Sequence, residues 1–111
     1  TPDQVEAERK KSLHAPLVIA VVSRAKPHVK IPLWEQELSA GASVMNLITA
    51  ANALGYVANW LTGWVAFDRA ALDALGLGPD EKMAGFVHIG RPTRPVEDRD
   101  RPKLADIVTR F

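Results

Sequence analysis

The side chains best suited to proton transfer or metal binding are three histidines, His14, His28 and His88. They stand apart in the chain, with no carboxylate or second histidine at ligand spacing. Glu35 and Glu37 are two residues apart on what reads as a helix, so they point to different sides and do not make a general acid–base pair. Their place in the first turns suits the positive end of the helix dipole instead. The 111 residues include no cysteine, which excludes disulfides, thiolate metal sites and a thiol nucleophile, and fits a cytoplasmic protein. Phosphate-loop, dinucleotide-fingerprint, His-Glu-x-x-His and Gly-x-Ser-x-Gly patterns are all absent. No self-contained catalytic set is present. What stands out is a junction: the small apolar stretch Ala50-Ala51-Asn52-Ala53-Leu54-Gly55 is followed by Trp60-Leu61-Thr62-Gly63 where a polar turn would be ordinary. Taken by itself, Trp60 packing into a core before a Thr62-Gly63 turn accounts for it.

The elements that would position this junction follow from composition and period. With 47% apolar and 24% charged residues and a formal charge of +1, the chain has the mix of a soluble globular domain and no general attraction to nucleic acid or an anionic membrane. No segment approaches the roughly 20 apolar residues that span a bilayer. Asp3–Ser12 reads as a short polar helix with acids first and bases last. Leu17–Ser23 is a continuous apolar run without alternation, the pattern of a strand covered on both faces. Arg24–Ile31 is a basic loop. Pro32 to Leu54 is the longest periodic element, with Pro32 suited to a first helical position and Gly55 to a left-handed stop. It is apolar nearly all round, so it belongs at the centre of a domain or of a dimer. Gly41-Ala42-Ser43 would let another backbone approach closely.

Beyond it, Tyr56–Leu61 reads as a short strand. Asp68 caps a helix over Arg69–Leu75 that Gly76 closes. Met83–Gly90 reads as a second buried strand that includes His88. Residues 91–111 hold six bases, four acids and three prolines. They form an extended arm, of the sort that lies on a partner surface, until Leu104–Phe111 turns apolar again. The interleaved acids and single aromatic of this arm argue against a base-stacking nucleic-acid surface.

The pattern Gly41-Ala42-Ser43-x-x-Asn46-Leu47-x-x-Ala50-Ala51-x-x-Leu54-Gly55-Tyr56-x-x-x-Trp60-Leu61-Thr62-Gly63 resembles the flavin-dependent nitroreductases. Ile31-Pro32-Leu33-Trp34-Glu35-Gln36-Glu37 and Gly85-Phe86-Val87-His88-Ile89-Gly90-Arg91-Pro92 resemble the small bacterial NAD(P)H nitroreductases in particular. The resemblance implies an α+β fold, a central sheet with a long buried helix at the dimer interface, and FMN shared between two subunits. Residues 1–111 would be the C-terminal portion of a single such domain, lacking its N-terminal part and the basic segment that holds FMN there, with 91–111 the arm. The implied activity is reduction of a small-molecule acceptor, a nitroaromatic or quinone, by NAD(P)H through flavin N5. A non-catalytic dimerising or ligand-binding module, or a flavoenzyme with another acceptor, is the alternative. By resemblance, Trp60, Leu61, Thr62 and Gly63 contact FMN, Arg101 and Lys103 reach its phosphate, and Ala50, Ala51, Asn52, Ala53, Leu54 and Gly55 contact NAD(P). With FMN doing the chemistry, the lack of catalytic side chains is accounted for.

Overall fold

The computed structural model describes residues 1–11 and 14–111. In order, the chain forms α1 (Pro2–Lys11), β1 (Leu17–Ser23), α2 (Leu33–Ala53), β2 (Val57–Leu61), a 3-10 turn (Trp64–Ala66), α3 (Arg69–Ala74), β3 (Lys82–Gly90) and α4 (Leu104–Ile107). Ser12, the expected last residue of the first helix, lies outside the described residues. At its start, Thr1 Oγ1 accepts from the Gln4 N–H while the Gln4 side chain accepts from the terminal ammonium, a reciprocal cap. Among the described residues no helix is long and apolar enough to cross a membrane.

The three strands form one antiparallel sheet in the order β1-β3-β2. β3 is central, as its apolar composition leads one to expect, and α2 lies across one face. Val44 and Ala51 of α2 pack on Val87 and Ile89 of β3, with Ile19, Val21, Leu47, Ile48, Ala58 and Ala84 around them. Val44 and Val87 are fully buried. At the other end of β3, Met83 joins a second cluster with Ala66, Leu72 and Leu77, flanked by Val22 and Phe86.

One strand serves both clusters because its ladder with β1 is irregular. Val21 pairs with Gly85 but Val22 with Met83, so Ala84 is an extra residue. A bulge of this kind shifts the side-chain phase by one. Met83 therefore shares a cluster with Phe86, while Ala84 shares one with Val87.

The ends of α2 obey local rules. Pro32 (φ −58°, ψ 144°) is the extended residue just before the helix and not its first helical residue. The side chain of Gln36 ties the preceding loop to the first turn, donating to the carbonyls of Lys26 (2.8 Å) and Ile31 (3.0 Å) and accepting from the Lys26 N–H. Gly55 turns left-handed at φ +88°, and the N–H groups of Leu54, Gly55 and Tyr56 all return to carbonyls of the last turn. Asp68 caps α3 as expected, accepting from the Ala71 N–H at 2.9 Å, and Gly76 (φ +87°) follows its end.

One expectation of burial needs correction. β1 is not covered on both faces: Leu17 is 50% exposed, and Val18 and Ala20 are also exposed. Only Val22 on that face meets a cluster. α2 is likewise not enclosed within the chain, since Leu33, Trp34, Leu38 and Met45 all face out. An apolar run reports that a surface is to be covered, not by what. The arm after Gly90 is exposed at every residue, which helps raise the radius of gyration to 17.1 Å, against about 13 Å for a compact chain of this length.

Candidate functional site

β2 is five residues of backbone strung between two glycines of positive φ, Gly55 and Gly63. It leaves the sheet at Leu61, whose partner is Phe86. Thr62 and Gly63 then run free into the 3-10 turn. Gly63 sits at φ +70°, ψ −175°, a conformation essentially reserved for glycine. A Cβ placed there would meet nothing within 4 Å, so the backbone is open to an approaching group. The Gly63 carbonyl accepts from the Ala66 N–H. The N–H groups of Thr62 and Gly63 and the Thr62 hydroxyl have no partner within the chain among the described residues. Three adjacent donors thus face solvent beside the exposed Leu61 side chain. A planar ligand with an apolar ring and a polar, acceptor-bearing edge fits that combination, and FMN is such a ligand.

Trp60 behaves differently from the three residues after it. Its indole N–H donates to the Ala84 carbonyl at 3.0 Å. The pyrrole edge occupies the space a Cβ on Gly85 would fill, and the far tip of the ring lies 3.8 Å from where a Cβ on Gly41 would be. Gly41 of α2 receives an aromatic ring there, while Ala42 and Ser43 are exposed. The residue is still 39% exposed.

The stretch expected to touch NAD(P) lies at the other end of β2, about 13 Å away by strand rise. Ala51 is buried in the sheet-facing cluster, whereas Ala50, Asn52, Ala53, Leu54 and Gly55 are exposed. This is the negative end of the helix dipole, with its local N–H groups already used. It offers a ligand the apolar surface of Leu54 and the Asn52 amide, and nothing suited to phosphate. Arg101 and Lys103 stand on the exposed arm. Arg101 donates to Asp98 at 2.7 Å, and this hydrogen bond, then the Arg99 N–H and the Arg101 charge, hold the Asp98 carboxyl below its ordinary range. Lys103 precedes α4, which has no extensive contact with another element. Within one chain these two cations are not gathered to the Gly63 junction.

The histidines do not assemble. His28 Nδ1 accepts from the N–H groups of Lys30 (3.1 Å) and Ile31 (3.3 Å), which makes it part of the turn before α2. His88 sits on β3 between Val18 and Asn59, and His14 is exposed. Glu37 pairs with Lys82 at 3.3 Å, linking α2 to β3.

Sequence reasoning passed over Trp64. It follows Gly63 directly and donates its indole N–H to Glu8 of α1 at 3.3 Å. With Val65 and the α1 residues Gln4, Val5 and Glu8 it lines an open groove of about 500 Å³ beside the junction. The sequence shows only a Gly63-Trp64 pair, and it is the positive φ of Gly63 that makes the position one only glycine suits. Gly85 was a missed cue, because an isolated glycine within a strand pattern signals a bulge or close approach.

The chain belongs to the nitroreductase family, whose model matches residues 3–91. It is 35% identical over 88 residues, 79% of its length, to an Escherichia coli protein provisionally named NAD(P)H nitroreductase YdjA. It is 38% identical over 77 residues to a similarly named Haemophilus influenzae protein. It spans about half the length of these relatives, 48% and 42% respectively. Among solved structures, it superposes with a TM-score of 0.81 on a nitroreductase-like family protein from Bacillus cereus, at 21% identity, covering 97% of this chain and 60% of that one. A Bacteroides fragilis nitroreductase with bound FMN gives 0.62 at 24% identity, covering 88% of this chain and 52% of that one. The fold is therefore the α+β nitroreductase-like fold.

Proposed function

We propose that this chain contributes the flavin-edge segment and the dimer-forming helix of an FMN-dependent oxidoreductase that uses NAD(P)H to reduce small acceptors such as nitroaromatics or quinones. The observation that carries this is the run of unpartnered donors at Thr62 and Gly63, next to Leu61, on a backbone that only glycine permits. Bound FMN supplies the hydride relay between nicotinamide and acceptor. The chain's own work is to hold and shield it. Leu61 gives apolar contact to the ring, and the Thr62 and Gly63 N–H groups with the Thr62 hydroxyl donate to its polar edge. Arg101 and Lys103 contribute charge toward the phosphate only when the arm is folded against a partner.

The exposed residues of α2, Leu33, Trp34, Leu38 and Met45, support a homodimer in which this face is covered by the second copy. The apolar end of the arm, Leu104, Ile107, Val108 and Phe111, is exposed as well and suits the same partner. Ala50–Gly55 is the proposed nicotinamide-side surface, through Leu54 and Asn52.

The test is flavin retention and turnover in the full polypeptide. We expect a yellow protein that keeps FMN through gel filtration as a dimer and oxidises NADH or NADPH when a nitroaromatic or quinone is added. A folded dimer that takes up no FMN at stoichiometric concentration would leave only a dimerising module. Uptake of FMN without turnover of any such acceptor would point to other flavin chemistry on the same fold.

A further inference from the structure

We infer that the Trp60 side chain is a positioning residue, which locks the bulge in β3 and thereby sets the course of Leu61–Gly63 without itself touching the flavin. This rests on the reading of Leu61–Gly63 as the flavin-edge segment.

Three observations meet at this side chain. Ala84 is the extra residue of the bulge, and a bulged residue loses a regular ladder partner. Its carbonyl is taken by the Trp60 indole N–H at 3.0 Å. Next to it, Gly85 has φ +157°, and a Cβ there would overlap Trp60 Nε1 and Cδ1. On the helix side the ring tip rests at Gly41. The indole thus bridges a glycine of β3 and a glycine of α2.

An indole has a single N–H, and here it is spent on the bulge. No polar group of the Trp60 side chain is left for a ligand. What the ring does is fix its own Cα at the last step before the strand departs. Thr62 and Gly63, just beyond it, carry the free donors, and their aim depends on that departure, since the ladder ends at the Leu61–Phe86 pair. A small error in placing donors at a binding edge costs binding and rate steeply.

The experiment is a set of FMN titrations on the full polypeptide as wild type, Trp60→Phe, Gly85→Ala and the double variant, combined with amide hydrogen exchange of the flavin-free proteins. Trp60→Phe keeps a ring but removes the N–H, and Gly85→Ala pushes the ring out, at the cost of strain in its own backbone at φ +157°, without replacing any group proposed to contact the flavin. Each single change should weaken FMN binding roughly tenfold, the effect of one lost hydrogen bond. Each should also speed exchange at Leu61–Gly63 while Val87 and Ile89 stay protected. The double variant should bind no more weakly than the worse single one, because both changes break the same lock.

If Trp60→Phe weakens FMN while Gly85→Ala leaves affinity and exchange unchanged, the indole contacts the flavin directly and the inference is wrong. Losses that multiply in the double variant also overturn it. Should Gly85→Ala not fold, Trp60→Phe decides alone: faster exchange confined to Leu61–Gly63 supports the lock, and unchanged exchange refutes it. A wild type that binds no FMN overturns the flavin reading and with it the role given to the lock, while exchange still reports whether the lock exists.

Discussion

The two ends of β2 are both marked by a glycine of positive φ, yet one is finished and the other is open. At Gly55, the N–H groups of Leu54, Gly55 and Tyr56 are all returned to the helix, and the chain turns with no group left over. At Gly63, the N–H groups of Thr62 and Gly63 remain without a partner among the described residues. The first glycine completes a structure by itself. The second holds a conformation that makes sense when another molecule arrives. A left-handed glycine is therefore not a functional signal on its own; its unspent donors are.

Removing what both ends share should have the largest effect. Val87 is fully buried beneath α2 and pairs with Trp60 across β2 and β3, so Val87→Ala should cost roughly 2–3 kcal/mol in chemical denaturation and disturb both ends. Gly63→Ala should cost about 2 kcal/mol through backbone strain, since the added methyl meets nothing. It should also abolish measurable FMN uptake. Gly55→Ala should cost about 1 kcal/mol, the ordinary penalty for a left-handed alanine, and leave FMN affinity intact. Equal loss of FMN binding from both glycine changes would erase the distinction between the two ends. Thr62→Ala sharpens it: stability within about 0.5 kcal/mol of wild type, but FMN bound several-fold more weakly in a fluorescence titration.

The smallest effect belongs to the arm. The depressed carboxyl of Asp98 gives a contribution present at neutral pH and lost as pH falls through its lowered folded value. That carboxylate is fully exposed and solvent-screened, so Asp98→Asn should leave the thermal melt unchanged between neutral and acidic pH. Its readable consequence is to release Arg101.

Much of the fold was legible because it is written locally. Asp68, Gly55 and Gly76 are capping residues whose chemistry works over four or five positions, and each does what its type implies. The proline-rich, mixed-charge composition of 91–111 likewise announced an arm. Coverage was not legible. Leu17–Ser23 has the composition of a strand buried on both faces, but Val18 and Ala20 stay exposed. α2 shows the same limit, for its apolar outer side says only that water is unwelcome. The bulge escaped because alternation is judged by eye from one end, and Met83 and Val87 both look inward until the ladder is counted. At the candidate site, Trp60–Gly63 was singled out by resemblance to a family pattern, whereas the tie from Trp60 to Ala84 spans 24 positions that no local rule connects.

The bulge at Ala84 also sits where β3 passes from one cluster to the other. Met83 before it faces Ala66, Leu72 and Leu77, and Val87 and Ile89 after it face α2. Deleting that one alanine would leave Val21 on Gly85 and Val22 on Met83, so both clusters would keep their phase, but it would take away the carbonyl that holds the Trp60 indole.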